Sequence, residues 1–215
     1  MAAKYVLFDF DGTLFDTGPG ITNCLREAFL KCGYTVAPDD DLKRFVGPPL
    51  PLAFREFFGI VGEDSEKLLL TYRAIYAEKG VFDCAPISGA EQFLRRLRES
   101  GVKTAIATSK PLRFANAILE RFGFDKYFCA VCGIDDDESL PKSQIVAQAM
   151  QKIGAVPAET VMIGDRKFDV LGAAANGIPC IGLDTGFGEK NELQKAGAVF
   201  VVKTYTELEK LFFEK

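Results

Sequence analysis

The sequence predicts an α/β fold: a doubly wound, Rossmann-like parallel sheet with an all-helical domain inserted near its start. Three observations carry this. The candidate strands are apolar on both faces, as strands are when helices cover both sides of a parallel sheet. From residue 86 onward, strand and helix patterns alternate. Between Gly18 and Phe82 the alternation stops and only helical patterns remain. With 215 residues the chain has room for one large domain or one domain with an insert, at about 150 residues per domain. A hydrophobic share of 48% against 26% charged residues is enough for a real core and excludes a disordered or low-complexity chain.

The first strand is Tyr5–Phe10, an apolar run broken only by Asp9. Ile21, Cys24, Leu25, Ala28, Phe29 and Cys32 then recur at i, i+3, i+4, i+7 and i+8, one face of a helix. Leu68, Leu69, Tyr72, Ile75 and Tyr76 make a second such face, with Ser65 as its expected N-cap. Between them, Gly47-Pro48-Pro49 must leave helical geometry. The helical insert is therefore expected to span residues 18–82. Its hinges fall near Asp16-Thr17-Gly18 and Asp83-Cys84-Ala85-Pro86, leaving 1–17 and 83–215 as the α/β core. Ser88-Gly89-Ala90-Glu91 has the spacing of a capping box, Phe93, Leu94 and Leu97 continue at helical spacing, and Gly101 ends the segment. Strands follow at Val102–Ala107, Tyr127–Cys132, Val161–Gly164, Ile178–Leu183 and Ala198–Val202. The helices between and after them start at Pro111, a residue suited to a first helical position, and cover Ser143–Ile153, Phe168–Asn176 and Tyr205–Phe213.

Composition removes several function classes. Lys and Arg number 26 against 30 Asp and Glu, a net charge of −4, so no global basic field exists to hold a nucleic-acid polymer or an anionic membrane surface. The chain has no histidine, which removes Ser-His-Asp and Cys-His nucleophile pairs, phosphohistidine chemistry and histidine-based zinc sites. Asp9 and Asp11 break the first apolar stretch as it starts, so a signal peptide is not expected. Val170–Leu183 carries Asn176 and Pro179 and falls short of the roughly 18–20 apolar residues that cross a bilayer. A cytoplasmic protein is expected, acting as a monomer or weak homodimer. Its six cysteines read as small hydrophobes, with Cys129 and Cys132 as buried strand residues rather than a redox or metal pair.

The chemistry concentrates at predicted strand ends, where open α/β sheets place their ligands. Asp9-Phe10-Asp11-Gly12-Thr13 sets two carboxylates two residues apart. Like charges this close destabilise each other unless a cation or a proton intervenes. One carboxylate facing a metal can attack phosphorus; the other can serve as acid to the leaving oxygen and base to water. Gly12 would turn the backbone sharply and offer its N–H to a phosphate. Taken alone, the same residues would also serve as an exposed acidic turn. Thr108-Ser109 offers hydroxyls ahead of a helix N-terminus, a place for an anion or an ordinary cap. Lys142 opens the helix after the third strand and could neutralise an aspartyl nucleophile and a phosphoryl group. Asp165 and Asp169, four apart, face one side if Asp169 lies in the first turn of its helix, where it could also simply cap that helix.

In order, these motifs resemble the haloacid dehalogenase superfamily, over the whole chain: Asp-x-Asp-Gly-Thr, Thr/Ser, Lys ahead of a helix, and Gly-Asp-x-x-x-Asp. The helical insert sits where that superfamily carries a cap. Phe45-Val-Gly-Pro-Pro-Leu50, Gly164–Ala173 and Gly186–Gly197 are similar to its phosphoglycolate phosphatase and 5′-nucleotidase-like branch. The resemblance implies a phosphatase acting on a small-molecule phosphate monoester, with Asp9 as nucleophile and Asp11 as general acid/base. It implies that Thr108 and Lys142 hold the phosphoryl oxygens. Magnesium would be held by the Asp9 carboxylate, the Asp11 backbone carbonyl and Asp165, with Asp169 acting through a bound water. Gly12 and Ser109 complete the expected substrate contacts; Arg166 and Lys110 are nearby cations without an assigned substrate role. The alternatives are a dehalogenase, a phosphomutase and a phospho-accepting switch without turnover. Asp11 argues against the first, the missing histidine against the second, and the placement of both acids on one strand end, with a cap after them, against the third.

Overall fold

The computed structural model of the chain describes residues 3–36, 42–135 and 140–214; the remaining positions of the expected insert and core lie outside these. β1 (Tyr5–Phe8) ends two residues earlier than expected because the Phe10 carbonyl accepts the N–H groups of Thr13, Leu14 and Phe15 and turns the chain off the sheet. A short strand, β2 (Phe15–Asp16), leads into α1 (Gly18–Lys31), a 3₁₀ turn at Leu42–Phe45, α2 (Leu50–Phe58), α3 (Gly62–Ile75) and a π-helical turn at Tyr76–Gly80. The chain returns through β3 (Ala85–Pro86), antiparallel to β2 with Phe15 opposite Pro86 and Asp16 opposite Ala85. The exit and return of the insert are thus paired side by side.

The second half alternates as expected: α4 (Ala90–Glu99), β4 (Lys103–Pro111), α5 (Leu112–Phe122), β5 (Ala130–Ile134), α6 (Lys142–Ile153), β6 (Thr160–Gly164), α7 (Lys167–Ala174), β7 (Cys180–Leu183), α8 (Glu192–Ala196), β8 (Phe200–Val202) and α9 (Tyr205–Phe213). Among the described residues the main sheet has six strands in the order β5-β4-β1-β6-β7-β8, all pairs parallel. Strand order reverses at β1: the chain builds outward through β4 and β5, then crosses back to β6 on the other side. A crevice outside the carboxyl ends of β1 and β6 is the position such topology reserves for a ligand.

The two faces of β1 show how the core is built. Val6 and Phe8 face one side, where Phe93 of α4 and Tyr205 and Phe212 of α9 pack; Leu7 faces the other, against Ile145, Val146 and Ala149 of α6. Phe8, Phe93 and Tyr205 form an edge-to-face and tilted ring chain with centroids 6.3 and 5.6 Å apart. The insert has its own aromatic knot, with Phe29 of α1 against Phe45, Phe54 and Phe58. The apolar faces of α1 and α3 are buried as their periodicity predicts. No helix among the described residues is long and apolar enough to cross a membrane.

Several local expectations are corrected. Ser65 lies inside α3, which starts at Gly62 behind an extended Val61; Glu63 and Asp64 sit in its first turn, where the helix dipole favours acids. Ser88 makes no capping bond: the Ala90 N–H donates to the Ile87 carbonyl, and α4 starts from that turn. β4 runs past Ala107 to Pro111 because pairing slips there, three residues (108–110) opposing the single Gly133 between the pairs Ala107–Cys132 and Pro111–Ile134. Pro111 consequently precedes α5 rather than opening it. A 3₁₀ turn at Asp125–Tyr127 displaces β5 toward the C-terminus, which leaves Cys129 exposed and only Cys132 buried; both thiols are free.

Phe93 is fully buried between sheet and α9. Phe93→Ala should lower unfolding free energy by about 3–5 kcal/mol, as large-to-small changes in packed aromatic cores do, measured by urea denaturation. A loss below about 1 kcal/mol would mean that this face collapses around the cavity.

Candidate active site

Four strand ends converge at the crevice. Asp9 follows β1 and is fixed by its N–H donating to the Ile163 carbonyl of β6, 2.9 Å. Gly12 adopts φ +75°, and a Cβ there would stand 2.2 Å from Asp165 Oδ2; only glycine allows this loop to press against the acid that follows β6. The loop is pinned from two sides, Thr185 Oγ1 donating to the Gly12 carbonyl (2.7 Å) and the Tyr205 hydroxyl to the Thr13 carbonyl (2.8 Å).

The titratable groups separate into two sets. In the first, carboxylate oxygens of Asp9, Asp165 and Asp169 lie within 4.8 Å of one another, all buried. Lys142, the first residue of α6, places Nζ 2.6 Å from Asp9 Oδ1 and 2.8 Å from Asp169 Oδ1. The other Asp169 oxygen accepts the Arg166 N–H at 3.0 Å, so this residue does cap α7 as well as joining the cluster. Burial first, and then the charge of Asp169, push the Asp9 carboxyl up to about 7 against the pull of Lys142. Burial first, and then the charges of Asp169 and Asp9, raise Asp165 well above the usual carboxylate range. Burial alone would lower the Lys142 ammonium, but Asp169 and Asp9 outweigh it and hold the proton more tightly than usual.

The second set faces the insert. Asp11 Oδ1 accepts from Thr17 Oγ1 at 2.6 Å and from Lys110 Nζ at 2.8 Å. The same Nζ donates to the hydroxyl of Tyr76, in the π-helical turn of the insert, at 2.9 Å. Lys110 owes its position to the slipped pairing in β4; such irregularities re-aim side chains beside active sites. Burial opposes its charge, but Asp11 and Tyr76 raise its pKa overall. A cavity opens over Asp11, Ser109 and Lys110 and is roofed by Phe45, Pro48 and Leu50.

The first set fits a hard divalent cation. All its donors are oxygens, and once its three carboxylates are ionised a single ammonium leaves two negative charges for a cation to meet. Asp165 Oδ2 is buried with no hydrogen-bond partner. A buried acceptor left in this state is costly unless a ligand completes it. Both oxygens of Asp169 are already engaged, which suits contact through a water better than direct ligation.

The structure thus brings Asp9, Asp165, Asp169 and Lys142 together, sets Gly12 against Asp165, and turns Asp11 toward the cavity. Thr108 is buried, its Oγ1 accepting the Lys110 N–H at 3.1 Å, and Ser109 lines the cavity. Sequence reasoning missed Thr13, whose Oγ1 donates to Asp165 Oδ1 at 3.2 Å, as well as Thr17, Tyr76 and the pairing of Lys110 with Asp11. Thr13 and Thr17 flank the acidic motif and were open to inspection; Tyr76 lay within an apolar stripe that read as core.

Comparison with known proteins agrees with this geometry. The family model described as haloacid dehalogenase-like hydrolase matches residues 6–183. The chain belongs to that family. It is 35% identical to tyrosine-protein kinase PtkA of Mycobacterium tuberculosis, over 94% of this chain and 69% of that one. It is 34% identical to a 5′-nucleotidase of Pseudomonas aeruginosa, over 88% and 86%, and 28% identical to a phosphoglycolate phosphatase of Caulobacter vibrioides, over 95% and 89%. The crystal structure of a predicted phosphatase from Clostridium acetobutylicum superposes with a TM-score of 0.94 at 37% identity, covering 100% of both chains. The family and these phosphatase relatives make the chain an enzyme of the phosphatase class, with the branch resemblance seen in the sequence.

The raised acids set a pH dependence. Asp9 binds its proton more tightly folded than unfolded, so its contribution is fully present below the unfolded carboxylate range near 4 and is lost as pH rises through about 7. Metal-free protein should therefore melt lower at pH 8 than at pH 5, magnesium should restore stability at pH 8, and Asp9→Asn should flatten the difference. Calorimetry measures all three; a melting temperature that rises with pH and ignores magnesium would contradict the electrostatics of the cluster.

Proposed function

We propose that the chain is a magnesium-dependent phosphatase hydrolysing a small-molecule phosphate monoester, of phosphoglycolate or nucleoside monophosphate type, through an aspartyl-phosphate on Asp9. The observation that carries this reading is the separation of the two motif acids. Asp9 lies in the carboxylate cluster with Lys142, whereas Asp11 lines the cavity where a leaving group would sit. In the first half-reaction an Asp9 oxygen attacks phosphorus, and the departing ester oxygen takes a proton from Asp11. In the second, Asp11 removes a proton from water, which attacks the aspartyl-phosphate, releases inorganic phosphate and regenerates Asp9. Thr108, Ser109 and Lys142 hold the phosphoryl oxygens; the Gly12 N–H, expected from sequence to join them, instead donates to the Phe15 carbonyl at 2.8 Å. The 2.6 Å contact of Lys142 Nζ with Asp9 Oδ1 supports its role beside a group attached to Asp9. Magnesium, held by the Asp9 carboxylate, the Asp11 backbone carbonyl and Asp165, with Asp169 behind a water, would further neutralise the charge on that group. Residues 18–82 act as a lid over the core formed by 1–17 and 83–215, hinged at the paired β2 and β3, and segment 43–50 discriminates among leaving groups.

The kinase-named relatives support a second reading, in which a tyrosyl hydroxyl replaces water as acceptor in the second half-reaction. A panel of phosphate esters assayed with magnesium, followed by a tyrosyl peptide offered as acceptor, separates the two. Many equivalents of free phosphate support hydrolysis; phosphotyrosine with little free phosphate supports transfer.

Asp9→Asn should reduce turnover to below a few per cent of wild type, because an amide is a poor nucleophile. Asp11→Asn should lower kcat by about 10²–10⁴-fold while magnesium affinity, measured calorimetrically, stays near wild type. Unchanged kcat with Asp11→Asn on esters of poor leaving groups would remove it from proton transfer, and full activity in EDTA would remove the metal.

A further inference from the structure

We propose that Arg166 is a positioning residue that latches segment 42–50 of the helical insert onto the core, so that the loop bearing Asp165 and Asp169 also holds the roof of the cavity. The proposal rests on the lid reading above only for its kinetic consequence. Arg166 stands directly after Asp165, yet its side chain leaves the acidic cluster. Its Nη1 donates to the Val46 carbonyl and, at 3.3 Å, to the Arg44 carbonyl, both in the insert. Its Nε donates to Glu192 Oε1 of α8 at 3.0 Å. Arg166 is 4% exposed. A guanidinium this deeply buried persists only where its donors are satisfied and its charge is paired, and its planar fork suits a carboxylate on one edge and carbonyls on another.

The surrounding residues are arranged around that side chain. Glu192 Oε1 also accepts the Lys167 N–H at 2.8 Å, and Oε2 accepts the Glu189 N–H at 3.2 Å, so the carboxylate that aims the arginine is itself fixed. Burial would raise the Glu192 carboxyl, but the Arg166 and Lys167 bonds outweigh it and hold it below the usual range. On the insert side, a Cβ at Gly47 would stand 2.7 Å from Arg166 Cγ; the missing side chain lets the arginine stem pass beneath the loop. Beyond it, the Arg44 guanidinium lies 3.7 Å from the Phe57 ring centroid, tying the same segment to α2.

Arg166 therefore has two ends with different partners. Its N–H holds Asp169 in the acidic cluster; its guanidinium holds the backbone of the cavity roof. If segment 42–50 lifts, Arg166 loses its bonds to the two carbonyls. The charge stays paired with Glu192, so opening leaves no buried ion without a partner. On the arginine's side the latch gives up neutral acceptors, each modest in net terms, and it re-forms without having to find its counter-ion again.

The test is hydrogen–deuterium exchange by mass spectrometry on the full, substrate-free chain, comparing wild type, Arg166→Met and Glu192→Ala. Arg166→Met keeps the stem and removes the donors; Glu192→Ala keeps the donors and removes their aim. Both should exchange at least tenfold faster in peptides covering 42–58, with α4 and α6 peptides unchanged, and Arg166→Lys should fall between wild type and Arg166→Met. In steady-state kinetics Arg166→Met should raise KM for organic phosphate esters severalfold more than it lowers kcat. Unchanged exchange at 42–58 in folded Arg166→Met overturns the latch. So does acceleration spread evenly over core peptides, which would make the arginine a general structural support. If Arg166→Met fails to fold, Glu192→Ala decides alone by the same two criteria. Because exchange needs no substrate, failure of the latch and failure of the phosphatase reading are separately visible.

Discussion

Three buried carboxylates, Asp9, Asp165 and Asp169, share the corner between β1 and β6 with one ammonium, Lys142, and most of the surrounding structure serves to keep them there. Left to themselves they would repel one another or take up protons, as the raised Asp9 and Asp165 carboxyls show. What opposes this is backbone: the Asp9 N–H tied to β6, Asp169 tied to the Arg166 N–H, and the Gly12 loop pressed onto Asp165 and held by Thr185 and Tyr205. Parallel pairing of β1 with β6, with Phe8 opposite Ile163, sets the spacing between the loop that carries Asp9 and Gly12 and the turn that carries Asp165. The core behind them, Phe8 against Phe93 and Leu7 against α6, supplies the rigidity that lets the front remain strained.

Asp11 is in a different condition. Two residues along the same loop, it has left the crowded corner and is neutralised one-to-one by Lys110, with Thr17 as a second donor. The same backbone turn thus delivers one acid to an environment short of positive charge and the other to an environment that already supplies it. Two chemically identical side chains acquire different roles through their neighbours alone, the physical basis on which a nucleophile and a proton-transfer group can be built from one residue type.

The legible part of this arrangement was the part carried by periodicity and by strand ends. β1, β4, β6 and α9 could be read because both-face burial and helical spacing are properties of contiguous residues, and the ends of those strands then placed Asp9, Asp11, Thr108 and Asp165 on one side of a sheet. The partners of these groups were not legible, since they arise from contacts across the chain. Lys110 reaches Asp11 only because pairing slips between Ala107 and Pro111, which no local pattern signals. Tyr76 lay in an apolar stripe, and only the π-helical turn brings its hydroxyl to Lys110. The helix starts at Ser65 and Ser88 failed for a related reason: a serine in capping register is a local preference, overridden where the acids of the first turn or a preceding tight turn define the start instead.

The cavity completes the argument, because neither half of the molecule makes it alone. Its floor is Asp11, Ser109 and Lys110 of the core; its roof is Phe45, Pro48 and Leu50 of the insert. The floor is polar, with the Asp11–Lys110 ion pair and the Ser109 hydroxyl set toward the polar end of a ligand and the oxygen that joins it to the remainder. The roof is apolar and equipped to meet that remainder. Two contacts close the halves from different parts of the insert: Tyr76 on Lys110, beside Asp11, and the carbonyls of Arg44 and Val46 on Arg166, beside the three-carboxylate corner. Each joins the insert to a residue that also touches one of the two acidic sets, Lys110 through Asp11 and Arg166 through Asp169. Parting the halves would therefore remove acceptors from Lys110 and from Arg166 at once, so that the cations beside both acidic sets and the enclosure of the cavity depend on the same closure.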